Sequence, residues 1–197
     1  ESNLSRILEN LRKGFGGGFE DIGLIDAAGI QRAYVGPYSL KGKDYSGQPW
    51  FRKAAENGIY ISDVFLGFRN VPHIIIAVKH DLPDGSFYVL RSSVDTYRFI
   101  QLLSELELSG QGDAFLINAQ GILQTPSRNS GKTLEPSYLP VPAYSERTEV
   151  AEVLYNAGRP IIMGYAYIPN TPFILTIAKL KGDLMKPWRQ TRLQLIG

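Results

Sequence analysis

The sequence contains no cysteine. Disulfides, thiolate nucleophiles and cysteine-type zinc sites are therefore excluded. Histidine is scarce as well. The two that occur, His73 and His80, have no carboxylate or cysteine set around them that would complete a metal site. Neither a metal nor a cofactor is expected. There is also no excess of one charge: 21 Lys and Arg residues face 19 Asp and Glu residues, a net charge of +2. This balance, spread along the chain, argues against nucleic acid or a membrane surface as a partner of the domain itself. No apolar run approaches the roughly 20 residues of a membrane span. Missing too are a Gly-x-Ser-x-Gly elbow, a His-Glu-x-x-His helix, a phosphate-binding Walker loop and the kinase motif set, so no catalytic residue and no enzymatic activity are expected of this chain. It begins at Glu1 with no signal peptide, as expected of a segment excised from a longer protein.

What is present describes a globular chain. Of 197 residues, 44% are hydrophobic and 11% aromatic, enough for one large domain or two small ones. Ser2 to Lys13 reads as a helix, with Leu4, Ile7, Leu8 and Leu11 at helical spacing and Ser2 as its N-cap. The glycine run from Gly14 to Gly18 ends it. Asp21 to Val35 reads as two strands around an Asp26-to-Gly29 turn.

The same phrase then returns. Asp21-Ile-Gly-Leu-Ile-Asp-Ala-Ala-Gly-Ile30 matches Asp113-Ala-Phe-Leu-Ile-Asn-Ala-Gln-Gly-Ile122, with Asp21/Asp113, Leu24/Leu116, Ile25/Ile117, Ala27/Ala119, Gly29/Gly121 and Ile30/Ile122 identical. Repetition at about half the chain length implies two structural copies. Each copy ends in a meander of antiparallel strands. In the first, His73 to Lys79 and Ser86 to Val94 flank the turn Asp81-Leu-Pro-Asp-Gly85. In the second, Glu152 to Tyr155, Ile161 to Ile168 and Phe173 to Leu180 alternate with turns at Asn156 to Gly158 and Pro169 to Pro172. A helix from Asp95 to Leu108 joins the copies, with Phe99, Leu102, Leu103 and Leu106 on one face. Ser127 to Ser145 is loop-rich, and Lys181 to Leu195 is basic and reads as helical after Pro187.

The densest mixture of aromatic and polar groups lies at Lys43 to Asp63. Turn residues lead into a short helix starting near Trp50 and stopping at Asn57-Gly58, followed at once by a strand from Ile59 to Asp63. Aromatic walls with a few fixed polar groups are what a small-molecule pocket needs. Trp50 and Phe51 are adjacent on the helix, so one of the two faces the core. Tyr60 and Ser62 share one strand face, and strict alternation sends Asp63 to the other. Arg91 sits within an apolar strand, where it needs an acid such as Asp63 or Asp95, or an anionic ligand. Asp95 is placed to cap the helix that follows it. The expected fold class is α+β: an N-terminal helix carrying two tandem modules, each a central antiparallel sheet with a helical or looped excursion between its second and third strands.

In its order of elements the chain resembles the double Cache sensor domain. The resemblance rests on the N-terminal helix, the Asp21-to-Gly29 strand and turn, the Trp50-Phe51 helix, the Tyr60-Ile-Ser-Asp63 strand, the Pro72-His73 strand, a strand ending at Asp95, and the second strand-turn at Asp113 to Gly121. The phrase Tyr60 to Gly67 followed by Pro72-His73 looks most like the histidine-kinase branch. The resemblance implies PAS-like modules in an extracytoplasmic sensor of a membrane receptor, with a sensor histidine kinase favoured. A chemoreceptor or a cyclic-dinucleotide enzyme as the parent protein is the alternative. From other classes, a stand-alone enzyme or a protein-interaction module remains open. It implies a periplasmic or extracellular position, a membrane-spanning parent, and a homodimer formed through the N-terminal helix. The resemblance divides the chain into a helix and linker (1–20), a membrane-distal module (21–108), a membrane-proximal module (109–182) and a juxtamembrane segment (183–197); the second module, with no polar cluster like that of the first, is expected to be a spacer. Carried over residue by residue, Trp50 and Phe51 take the aromatic positions, Tyr60 and Asp63 the strand positions, and Asp95 the acid closing the last strand. Ser62, His73 and Arg91 complete the expected ligand contacts. In the amino-acid-binding subgroup an Arg two residues before the Trp holds the ligand carboxylate. Here that position is Gln48, with Arg52, Arg69 and Arg91 as substitutes. The ligand class expected is an organic acid, an amino-acid derivative or an amine.

Overall fold

The computed structural model describes residues 2–15, 17–106, 112–155 and 158–185, with Ser2 described by its backbone alone. The chain divides between Phe99 and Ile100 into two compact units, each with its own core.

The first unit opens with helix α1 (Ser2–Gly14) and the strands β1 (Phe19–Asp26) and β2 (Gln31–Val35). Helix α2 (Pro49–Asn57), β3 (Ile59–Ile61), a 3-10 turn (Gly67–Arg69), β4 (His73–Asp81) and β5 (Phe87–Asp95) follow. Its five-stranded antiparallel sheet has the order β2-β1-β5-β4-β3. Pro49 begins α2 where its missing N–H costs nothing, and Gly58, at φ 82°, ends it where a side chain would be strained.

Alternation along the strands divides the work of the sheet's two faces. Ile22, Leu24 and Leu90 pack with Leu4 and Leu8 of α1. Ile25, Ile75, Ala77 and Val89 pack with Trp50, Phe51 and Ala54 of α2 and with Tyr45. The apolar stripe of α1 is thus spent on its own sheet, and Ile7, at 38% exposure, lies at its edge. The Ser2 cap lies outside the described side chains.

Helix α3 (Tyr97–Ser104) spans the boundary between the units. It is shorter than the spacing predicts, and 107–111 lie outside the described residues. Leu102 and Leu106 are 50% and 40% exposed, so its apolar face is not a core face in the described structure. The second unit contains β6 (Asp113–Ile117), β7 (Glu149–Tyr155), β8 (Arg159–Tyr167), β9 (Ile174–Leu180) and the short α4 (Lys181–Leu184). Its order, β6-β9-β8-β7, matches the first sheet without a second strand. The expected excursion between second and third strands is therefore corrected: it follows the first strand. Ile122 and Leu123, which correspond to the start of β2, make only isolated bridges, to Pro136 and Ile117. The turn expected at Asn156 to Gly158 and the helix expected after Pro187 fall largely outside the described residues.

The repeated phrase is repeated in geometry. Asp26 Oδ1 accepts from the amides of Ala28 and Ile30 at 3.0 and 2.9 Å. Asn118 Oδ1 accepts from those of Gln120 and Ile122 at 3.1 and 2.9 Å. Gly29 and Gly121 close the two turns at φ 86° and 75°. The architecture is the α+β tandem arrangement that the sequence predicts.

Candidate ligand-binding site

A cavity of about 270 Å³ opens in the first unit between the start of α2, the 3-10 turn and the sheet. Its floor is charged. Arg91 is 2% exposed, and its Nη1 donates to Asp21 Oδ1 at 2.6 Å. Its Nε donates to Gln31 Oε1 at 3.0 Å. The expected acids, Asp63 and Asp95, are not its partners. The antiparallel register sets Gly23 opposite Arg91 and Asp21 opposite Ser93, which puts Asp21 beside the guanidinium. Asp21, fully buried, also accepts from Ser93 Oγ, the Ser93 amide and Tyr34 Oη. Burial, reinforced by the Asp21 charge, pushes the Tyr34 hydroxyl pKa up and keeps it a donor.

A second guanidinium joins from above. Arg69, its side chain 3% exposed, places Nη1 4.0 Å from Asp21 Oδ2 and stacks over Tyr38 at 5.0 Å. Local backbone explains its inward turn. Gly67 and Asn70 adopt φ of 55° and 54° on either side of it. A Cβ on Gly67 would come within 2.8 Å of the His73 ring, so only glycine lets the turn lie this close. Two buried guanidiniums therefore face one buried carboxylate. Arg69 Nε and Arg91 Nη2 are buried without a hydrogen-bond partner. Unpaired donors on a buried cation are costly to leave without an acceptor.

His73 lines the same cavity and stacks on Phe65 at 4.6 Å. Its Nδ1 lies 2.8 Å from the Val71 carbonyl, which makes Nδ1 the protonated nitrogen and leaves Nε2 an acceptor. Burial, with Arg69 and Arg91 adding to it against Asp21 and the Val71 carbonyl, lowers its pKa to about 4. Trp50, Tyr45, Phe65, Phe68, Leu40 and Ile75 supply apolar wall.

A second cavity, also about 270 Å³, shares Gln48, Trp50 and Phe65 with the first and adds Pro49, Tyr60, Ser62 and Asp63. Trp50 thus lines both, whereas Phe51, 5% exposed, lines neither and belongs to the core. The alternation that would separate Tyr60 from Asp63 does not operate, because β3 ends at Ile61. The Ser62 amide still donates to the Ile75 carbonyl at 2.9 Å, but the Ile75 amide donates to the Ser62 hydroxyl at 2.8 Å instead of its carbonyl, and that hydroxyl donates to the Asp63 carbonyl at 2.7 Å, so the regular ladder ends here. Asp63 Oδ1 is buried without a partner. Asp95 lies outside both cavities; its Oδ1 accepts from the Tyr97 amide at 2.9 Å at the start of α3. Of the eight expected contacts, the two cavities gather Trp50, Tyr60, Ser62, Asp63, His73 and Arg91 and leave out Phe51 and Asp95. Asp21 and Arg69 join the site in a way the strand pattern does not announce.

No protein-family model matches the sequence, and no curated protein does. Solved structures do match. The extracellular domain assigned to the histidine kinase mmHK1S-Z3 superposes with a TM-score of 0.72 at 9% identity, over 96% of this chain and 82% of that one. The ligand-binding domain of the Pseudomonas aeruginosa PAO1 amino-acid chemoreceptor PctB, in complex with L-Arg, gives 0.68 at 14% identity, covering 98% and 78%. The ligand-binding domain of Mlp24 with asparagine gives 0.61 at 16%, covering 92% and 77%. This is the double Cache fold. Of these three, two are ligand-binding domains and one is an extracellular domain, and the two units here share their fold. Among the described residues, no helix is long and apolar enough to cross a membrane.

Proposed function

We propose that this chain is the extracytoplasmic sensing region of a membrane receptor, and that its first, membrane-distal module binds a small organic anion at Arg69 and Arg91. The observation that carries this reading is the charge imbalance of the first cavity. Two buried guanidiniums share the Asp21 carboxylate, and each retains an unpartnered nitrogen. A carboxylate supplies the missing acceptors in the geometry that guanidinium favours. Neutral His73 neither adds a competing charge nor blocks the site. Among receptor types, the sensor histidine kinase is favoured. Support for this comes from the phrase Tyr60 to Gly67 followed by Pro72-His73; histidine-kinase and chemoreceptor domains alike share the fold. The ligand acts by preferring one arrangement of the receptor over another. In a homodimer through α1, the contact face is the outward one around Ile7, since Leu4 and Leu8 are already buried.

The test is a thermal-shift screen of carboxylates with the wild-type chain and Arg69→Gln. A carboxylate at about 100 times its Kd stabilises the wild type by roughly 2.7 kcal/mol. Arg69→Gln leaves the Asp21–Arg91 pair in place and weakens that carboxylate at least about tenfold, the scale of one charge-assisted hydrogen bond. A carboxylate that binds both proteins equally sinks the proposed site.

A further inference from the structure

The second cavity presents the opposite chemistry to the first. Its one charged side chain is Asp63, whose Oδ1 is buried and unpartnered. Its walls are Trp50, Tyr60 and Phe65, and the Ser62 hydroxyl is already committed within the protein. The two cations of α2 are engaged elsewhere: Arg52 Nε donates to the Ser46 carbonyl at 3.0 Å, and Lys53 lies against Tyr60. The Lys53 Nζ lies 3.3 Å from Tyr60 Oη and 5.0 Å from the Tyr60 ring centroid, on an exposed part of the helix. A carboxylate oxygen set among aromatic faces is a receptor for an organic cation: the carboxylate supplies charge and hydrogen-bond acceptance, and the rings supply cation–π attraction.

Gln48, Trp50 and Phe65 occur in the linings of both cavities. One lacks an anion and the other lacks a cation, and their linings have three residues in common. We infer that the Asp63 cavity is a second subsite for an organic ammonium group, so that the ligand is a zwitterion whose carboxylate and ammonium lie at opposite ends of a chain. An α-amino acid carries both charges on one carbon and cannot place them in two separate cavities. This inference rests on the assignment of the carboxylate to Arg69 and Arg91, and it adds the ammonium end, the spacing and the residue responsible. Gln48, on the shared wall, offers both a donor and an acceptor to a polar group in the middle of such a chain.

The experiment is calorimetric titration of the 197-residue chain with three sets of probes. The first is an unbranched series of ω-amino acids of increasing length. The second is the matching plain carboxylates and plain amines, and the third the α-amino isomers of the same carbon count. Binding is expected to peak at one length of the ω-amino acid series. At that length the α-isomer and the plain carboxylate bind at least about tenfold more weakly, the scale of a partly desolvated cation–π and ion-pair contact. Asp63→Asn keeps size and shape, and it removes the advantage of the ω-amino acid over the plain carboxylate without weakening the latter. If plain carboxylates bind and the ω-amino group adds nothing, or if Asp63→Asn leaves its advantage intact, the ammonium subsite is wrong and the anion site stands. If plain amines bind through Asp63 and no carboxylate binds, the anion site is wrong and the zwitterion assignment falls with it. The melting temperature of unliganded Asp63→Asn, expected to match the wild type, separates loss of binding from loss of folding.

Discussion

His73 is held neutral in the folded chain by burial, with Arg69 and Arg91 adding to it, at a pKa of about 4 against 6.5 when exposed. Between those values the unfolded chain binds a proton that the folded chain does not. Stability is therefore full above pH 6.5 and falls as the pH drops toward 4, by at most about 1.4 kcal/mol per pH unit from this one group. Denaturant melts at pH 7, 6, 5 and 4 are expected to show this decline, and His73→Gln is expected to flatten it. An unchanged slope in the variant would mean that His73 is not the buried neutral group described. Arg91 poses the same problem with a charge that cannot be shed. That it needed a partner is legible in the sequence, because a cation within an apolar strand is costly. Which partner was not. Asp63 and Asp95 are nearer along the chain, but the register of β1 against β5 sets Asp21 beside it, 70 residues away. Residue type announces the demand, and only long-range pairing discloses the supplier.

At the scale of the element, the two copies of the Asp/Asn-x-x-Gly turn make a controlled comparison. Gly29 and Gly121 both have positive φ, which a side chain resists by about 1–2 kcal/mol. Their surroundings differ. A Cβ on Gly29 would meet the Ser46 backbone nitrogen at 2.6 Å, whereas one on Gly121 would meet only the Val141 Cγ2 at 3.2 Å. Gly29→Ala is thus expected to destabilise clearly more than Gly121→Ala, which should cost about the conformational term alone. Urea midpoints measure both, and equal losses would show that the crowding at Ser46 relaxes freely. These turns were legible because the Asx hydrogen bonds and the glycine are local. The end of β3 was not. Tyr60-Ile-Ser-Asp63 reads as four strand residues, and only the Ser62 hydroxyl bonding across to Ile75 shows that the strand stops at Ile61. With the regular ladder ended at Ile61, strict alternation no longer holds, and Tyr60 and Asp63 line one cavity. The apparent second strand of the second module failed for a related reason: a stretch of strand-like residues became bridges within a proline-rich loop.

At the scale of the molecule, two units with separate cores need not lose structure together. Hydrogen exchange with a bound carboxylate is expected to slow exchange in β1, β4 and β5 and to leave β6 to β9 at their unliganded rates. Equal protection of both units would contradict a site confined to the first. The tandem organisation was legible from the 92-residue repeat. The use of α1 was less so: its leucine stripe suits a dimer seam and a sheet equally well, and the sheet took it.

Asp21 and Ile22 are neighbours on β1, one turned to the guanidinium floor and the other to the seat of α1. For protein engineering this makes a useful division. On the proposed reading, Arg69 on its turn and Asp63 beyond the strand end are the positions to exchange for a new ligand, and neither is among the side chains that seat α1. Asp21 itself cannot be treated so freely, because its carboxylate neutralises the floor and its next neighbour on β1, Ile22, seats the helix. A redesigned receptor would keep Asp21 and Arg91 as fixed wiring and recode its specificity from the loop side.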